Sequence, residues 1–197
     1  MRRAYDNLVE KATGCLLREN AVCEEEADVY RFGIEVTILK ALHLFSYLVI
    51  AVCMRRVPEF IVIFSIFCAF RRNVGGFHAK TRTGCYLFSC SVIVMALAAA
   101  GNEIDPIFLY GLTFCELMLL LFVFPVKNEN RPLDEEEIVC FRKRLFILIL
   151  LYMAAFVLTA WARWFRLIQL YAIGLTLAAS LALLGKVQER RNQNGKA

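Results

Sequence analysis

Six apolar runs alternate with polar stretches along this chain. The runs cover residues 33–54, 57–70, 85–100, 106–126, 145–161 and 167–184. A helix needs about 20 consecutive apolar residues to cross the hydrocarbon core of a bilayer, and most of these runs reach or approach that length. The pattern therefore predicts an all-α integral membrane protein with about six hydrophobic helical segments.

The second run, residues 57–70, is the shortest of the six. As a helix it would extend only about 20 Å. Two arrangements fit this length. The segment either spans the bilayer while Arg55 and Arg56 extend their side chains to the interface, or it is re-entrant and returns to the side from which it entered.

The N-terminal stretch, residues 3–19, has a different pattern. Apolar or small side chains recur there at Tyr5, Leu8, Val9, Ala12, Cys15 and Leu16. This spacing predicts an amphipathic helix, which either lies on the membrane face or packs against the protein itself. We expect one domain in three parts: this helix and an acidic junction over 1–32, a transmembrane bundle over 33–184, and a polar tail over 185–197.

Composition and charge support a membrane protein and predict its orientation. Hydrophobic residues make up 59% of the 197 residues, whereas soluble domains usually contain about 45–50%. Of the 23 Lys and Arg residues, 18 lie in the four stretches 1–32, 71–84, 127–144 and 185–197. Because positive charge accumulates on the cytoplasmic side, both termini and these two loops are predicted to be cytoplasmic. The lipid bilayer is an expected partner, and nucleic acid is not.

The eight cysteines do not form a disulfide or metal-binding framework. They contain no Cys-x-x-Cys pair, and several lie within apolar runs. With only two histidines in the chain, the sequence has no zinc-binding pattern. We predict reduced thiols, no metal and no other cofactor.

The loop between the second and third runs has an unusual content for a membrane connection. Residues 71–85 hold four Lys or Arg residues, three glycines, His78 and Cys85. A cysteine protease needs a thiolate as nucleophile and an imidazole to accept the thiol proton. Positive charge and a helix N-terminus both stabilise a thiolate. The competing interpretation is an interfacial histidine and an ordinary membrane cysteine, and the spacing alone favours that simpler interpretation.

Geometry sets a condition on a catalytic pair. In one straight helix, residues seven apart are displaced by about 10 Å along the axis, but a base must approach within about 3 Å of the proton donor. The chain must therefore bend between His78 and Cys85. Gly84 permits a bend just before the cysteine, and Gly75 and Gly76 permit one just before the histidine.

The loop also resembles a known family. Arg71-Arg-Asn-Val-Gly-Gly-Phe-His78-Ala79, with Cys85 six residues beyond Ala79, is similar to the pattern of the accessory gene regulator B (AgrB) family of membrane cysteine endopeptidases. Tyr30-Arg-Phe-Gly33 before the first run resembles the family's approach to its first span. The Asn130-Arg-Pro-Leu133 stretch, followed by Arg142-Lys143-Arg144, resembles a later cytoplasmic loop of the family.

The resemblance implies a reaction and a substrate. Such bacterial cell-membrane enzymes process a short AgrD-like precursor peptide into a cyclic quorum-sensing signal, with the family's catalytic residues corresponding to His78 and Cys85. Tentative substrate-binding residues are Arg71, Arg72, Gly75, Gly76, Arg142, Lys143 and Arg144. The competing explanation for the basic residues is membrane topology and attraction to anionic lipid.

Two other classes of function stay open at this stage. A small transporter would use Lys40, His43 and Glu116 within the apolar runs, because ionisable groups at depth mark solute or proton pathways. It would survive Cys85→Ser and fail on Glu116→Gln, whereas a protease would behave in the opposite way. A membrane scaffold without catalytic activity would tolerate both changes. The sequence does not distinguish a monomer from a homodimer.

Overall fold

The computed structural model describes residues 2–18, 23, 26–77, 81–124 and 134–194. Within these ranges the chain is almost entirely helical and contains no strand. The seven helices are α1 (Arg2–Arg18), α2 (Ala27–Cys53), α3 (Val57–Val74), α4 (Arg82–Ala99), α5 (Pro106–Val123), α6 (Glu135–Trp161) and α7 (Phe165–Asn194). Helices α2, α4, α5, α6 and α7 are long and apolar enough to cross a membrane. With α3 as a shorter sixth segment, the predicted fold class is confirmed.

The chain divides into two compact units, Met1–Val49 and Ile50–Ala197. The first contains α1 and most of α2. Val9, which belongs to the predicted apolar stripe of α1, is buried, and so is Thr13 one turn later. The Thr13 hydroxyl donates a hydrogen bond to the Val9 carbonyl at 2.9 Å. The division of a single domain at residues 32 and 184 stays a prediction.

The second apolar run forms one uninterrupted helix, α3, rather than a broken re-entrant pair. Its 18 residues extend about 27 Å, because the helix continues four residues beyond the apolar run. Glu59, Arg71 and Arg72 lie in its first and last turns and leave an apolar middle. Pro58 in the first turn costs no helical hydrogen bond.

Helix α7 lies at the centre of the second unit, where it packs against α3, α4, α5 and α6. Small residues allow these close approaches. A Cβ atom added to Gly174 would lie 2.8 Å from the Ile63 carbonyl oxygen of α3, and Ala178 and Ala182 are buried one and two turns later. Lipid tails are as apolar as leucine side chains, so close backbone packing rather than apolarity holds membrane helices together.

One end of this unit is fastened by α7, and we call it the Arg166 end. Arg166 donates hydrogen bonds to the Ala100 carbonyl and, at 2.9 Å, to the Glu59 carboxylate. The buried Gln169 side chain donates to the carbonyls of Ala99, at 3.2 Å, and Asn102, at 2.6 Å. These contacts join the start of α3, the α4–α5 connection and the start of α7. The opposite end, where α3 ends and α4 begins, is the Cys85 end.

Candidate active site

Cys85 lies in the first turn of α4. Thr81 caps this helix, and its hydroxyl accepts a hydrogen bond from the Gly84 N–H at 3.1 Å. The Cys85 N–H donates to the Thr81 carbonyl at 2.9 Å. The half-buried thiol residue is therefore one turn from a helix N-terminus, where the helix dipole favours negative charge.

The position of the bend differs from the prediction at one of the two glycine sites. Gly84 is already part of α4, because the Thr81 cap starts the helix three residues before it. The prediction of a bend at Gly84 was therefore wrong. The bend before the histidine is confirmed: α3 ends at Val74, and Gly75 and Gly76 follow with φ angles of +81° and +147°. Residues with a side chain rarely adopt such backbone angles, so glycine is required there.

Phe77 is held on three sides at the Cys85 end. Its N–H donates a hydrogen bond to the Leu181 carbonyl of α7 at 2.8 Å. Its carbonyl accepts one from Arg71 Nη2 at 2.7 Å. Its ring packs edge-on against Phe88, with ring centroids 5.5 Å apart, and Phe88 lies one turn beyond Cys85 on α4. The residue immediately before His78 is thus fixed relative to three helices.

Arg71 links the bend to the cysteine. Its half-buried side chain extends from the last turn of α3 over Gly76, where an added Cβ atom would lie 1.5 Å from Arg71 Nη1. The guanidinium is also close enough to Cys85 for a Coulombic interaction between the two side chains. Gly75 and Gly76 have a backbone role here, and substrate binding by either stays a prediction.

His78 itself lies outside the described residues, as do Ala79, Lys80 and the 125–133 stretch that contains Asn130-Arg-Pro-Leu133. The flanking residues Phe77 and Thr81 are both at the Cys85 end. Phe77, the residue before His78, packs against Phe88 of α4, the helix that carries Cys85. The pairing of His78 with Cys85 stays a prediction.

The other predicted substrate-binding residues lie away from Cys85 in sequence. Arg72 is exposed in the last turn of α3, and Arg142, Lys143 and Arg144 are exposed on α6. These three were predicted to lie in a loop up to residue 144, but α6 begins at Glu135. Asp134 at the N-cap and acidic residues throughout the first turn favour a helix start, a signal that sequence reasoning missed.

Sequence reasoning also missed the part played by α7. Leu181 accepts the Phe77 hydrogen bond, and the buried Gly185 lies against the Gly76 and Phe77 backbone. The available signal was the run of small residues on one face of the last segment: Gly174, Ala178, Ala182 and Gly185.

Comparison with protein families gives an independent result. The family model described as accessory gene regulator B matches residues 9–184. The chain belongs to the AgrB family. No curated protein and no solved structure matches it.

AgrB membership supports a role in processing the precursor peptide of a quorum-sensing signal, with a peptide substrate acted on at a membrane. Together with the apolar helices, it identifies a multi-pass membrane protein. The matched residues contain both the Arg71–Ala79 motif and Cys85.

Proposed function

We propose that this AgrB-family protein is a membrane cysteine endopeptidase in which Cys85 is the nucleophile and His78 the general base and acid. Its substrate is a short precursor peptide, and its product is a cyclic signal peptide. The observation that carries the proposal is the fixation of Phe77 by Leu181, Arg71 and Phe88. That fixation holds Phe77, the residue before His78, against α4 one turn beyond Cys85.

The reaction has two steps that share one thioester. His78 accepts the Cys85 thiol proton, and the thiolate attacks the carbonyl carbon of a precursor peptide bond. That C–N bond breaks, His78 protonates the leaving amine, and the C-terminal part of the precursor departs. A Cys or Ser side chain within the retained peptide then attacks the thioester. A thiolactone or lactone forms, the Cys85 thiol is regenerated, and no ATP is formally needed for ring closure.

The charges at the Cys85 end support both the chemistry and a cytoplasmic site. Arg71 interacts with Cys85, and the Thr81-capped helix start lies one turn away. Most Lys and Arg residues lie in the stretches assigned to the cytoplasm. We therefore propose that the site takes its precursor from the cytoplasmic face.

Two basic regions are proposed to contact the precursor. Arg72 at the end of α3 and the Arg142-Lys143-Arg144 group on α6 are exposed, so both are accessible to acidic groups of a peptide. Guanidinium groups pair with carboxylates through two parallel hydrogen bonds. The same residues also suit anionic lipid headgroups, and a substrate role requires that their replacement raise KM for the precursor.

A trapped acyl-enzyme tests the proposed function. When the precursor's internal Cys or Ser is replaced by Ala, ring closure loses its attacking group while cleavage proceeds. We expect intact-protein mass spectrometry to show an adduct on Cys85 equal in mass to the N-terminal part of the precursor. Neutral hydroxylamine should remove it, because this reagent cleaves thioesters and leaves amides intact.

Two variants control that experiment. Cys85→Ala should show no adduct, and His78→Ala should show little, because the thiol is then less activated and the amine lacks its acid. Cleavage at the normal site without a trappable adduct, under conditions of slow thioester hydrolysis, would indicate direct attack by water and would exclude Cys85 as the nucleophile.

The structure gives the local surroundings of each residue in the transporter hypothesis. His43 Nδ1 lies 2.7 Å from the Leu39 carbonyl of its own helix, which is a local structural contact. Lys40 is exposed on α2. Glu116 is buried in the second unit beside Tyr152 of α6 and Thr176 of α7. We propose that this glutamate has a structural role in the packing of α5, α6 and α7.

We therefore expect Glu116→Gln to retain precursor processing within about twofold, because the amide has the same shape and keeps a polar group in the buried site. Processing is measured by mass spectrometry with matched amounts of folded enzyme, and thermal unfolding in detergent checks the fold. Cys85→Ser is the contrasting variant and should fail. If folded Glu116→Gln loses processing while Cys85→Ser retains it, the transporter hypothesis is supported and the protease hypothesis is rejected.

A further inference from the structure

We propose that Gly185 of α7 is a positioning residue for the reaction, because it admits the backbone of Gly76 and Phe77 onto α7 and so fixes the residue that precedes His78. This inference rests on the proposed function of His78 and Cys85. It gives the last helix, which carries neither residue, control over the geometry of the pair.

The contact at Gly185 is between backbones. A Cβ atom added there would lie 2.6 Å from the Gly76 carbonyl carbon, 2.7 Å from Gly76 Cα and 2.7 Å from the Phe77 nitrogen. Rotation of a side chain relieves a clash with a flexible group, but no rotation relieves one with the main chain. Only glycine at position 185 therefore fits the bend at its observed position.

A hydrogen bond one turn earlier fixes the same piece of chain. The Leu181 carbonyl accepts from the Phe77 N–H at 2.8 Å. A carbonyl oxygen has two lone pairs and can accept this bond besides the one within its helix. Leu181 and Gly185 lie on one face of α7, so together they form a platform that holds the bend by contact and by hydrogen bond.

Other glycines in membrane helices have different surroundings and supply controls. An added Cβ at Gly174 would meet Ile63 and Ile66 of α3, which is helix packing away from the bend. At Gly111 of α5, no atom lies within 4 Å of the added Cβ. Gly111→Ala thus makes the same chemical change in a helix without steric conflict.

The expected effect follows from the size of the conflict. Ordinary contacts of a Cβ atom begin at 3.4 Å, whereas the nearest main-chain atom, the Gly76 carbonyl carbon, would be at 2.6 Å. The backbone of the bend must therefore move away by about 0.8 Å (3.4 minus 2.6). Displacement of a catalytic group by about 1 Å can cost roughly 100-fold in rate. We expect Gly185→Ala to slow the reaction of the Cys85 thiol by about tenfold.

The test measures alkylation of Cys85 by iodoacetamide in the full-length protein in detergent, with the other seven cysteines replaced and processing activity retained. Gly185→Ala and Gly111→Ala are compared at several pH values, each with and without His78→Ala. We expect Gly185→Ala to react about tenfold more slowly at neutral pH, with a pH profile approaching that of His78→Ala. Gly111→Ala should match the parent. In the His78→Ala background, Gly185→Ala should change the rate by less than about twofold.

The outcomes distinguish the proposed catalytic pair, His78 and Cys85, from the proposed positioning role of Gly185. If His78→Ala alone leaves Cys85 reactivity unchanged, the proposed catalytic pair fails, and the positioning role fails with it. If His78→Ala slows alkylation but Gly185→Ala does not, or slows it equally in both backgrounds, the pair stands and the positioning role is overturned. If Gly185→Ala does not fold, hydrogen exchange of the unaltered protein decides: slow exchange of the Phe77 N–H supports docking on α7, and fast exchange overturns it.

Discussion

Replacing Cys85 with Ala is expected to abolish precursor cleavage, with a fall of about 10⁴-fold or more, because the thiolate forms the only covalent bond to the substrate in the proposed mechanism. His78→Ala should lower the rate by about 10²- to 10⁴-fold, the usual contribution of a general acid and base. Purified enzyme and its cognate precursor are incubated in detergent or liposomes, and the released C-terminal fragment is quantified by mass spectrometry.

Cys90→Ala is the matched control for this experiment. Cys90 lies on the same helix as Cys85, five residues further on, and is also half-buried, so its replacement tests loss of a helical cysteine without loss of the proposed nucleophile. The Cys90→Ala variant should cleave the precursor at close to the normal rate. Normal cleavage by folded Cys85→Ala or His78→Ala contradicts the assignment of these residues.

Arg71→Ala is expected to reduce kcat for cleavage by about 10- to 100-fold. The variant loses the hydrogen bond from the guanidinium to the Phe77 carbonyl and the Coulombic interaction with Cys85. A hydrogen bond from a charged group typically contributes about 1.5–3 kcal/mol, and each 1.4 kcal/mol corresponds to about tenfold in rate. Arg71→Lys should recover only part of the activity, because an ammonium group cannot reproduce the planar donor geometry.

Arg72→Ala provides the comparison, since Arg72 is the next residue on α3 but its side chain is exposed. We expect it to leave kcat within about threefold of normal and, if Arg72 contacts the precursor, to raise KM. The same two constants distinguish the roles of Arg71. A fall in kcat with little change in KM in Arg71→Ala indicates that Arg71 positions the site. A rise in KM alone, with Cys85 alkylation unchanged, would indicate that Arg71 instead binds substrate.

The local elements were largely predictable from the sequence. Long apolar runs specify membrane helices because the hydrocarbon core excludes unpaired backbone polar groups, and the runs correspond to α2 through α7. The bend at Gly75 and Gly76 was also predictable, since glycines there permit a bend just before the histidine. The family resemblance, supported by the match over residues 9–184, came from a short motif whose residues are close in the chain.

Helix boundaries were less predictable where polar residues continue a helix. The sequence placed Arg142, Lys143 and Arg144 in a loop because they are charged, yet they lie on α6. It also placed a bend at Gly84, although the Thr81 hydroxyl had already started α4. The Thr81 cap favours the earlier start of α4, and the acidic first turn of α6 favours a helix start at Glu135.

By itself the sequence predicted a set of membrane helices and a basic loop that carries both His78 and Cys85. Only the tertiary structure decided that α7 lies at the centre of the second unit and supports the Gly75–Gly76 bend through Leu181 and Gly185. The physical reason is that an apolar run looks alike on its lipid-facing and protein-facing sides. Which side packs depends on where small residues let two backbones approach, and the partners here, Gly76 and Gly185, are far apart in the chain.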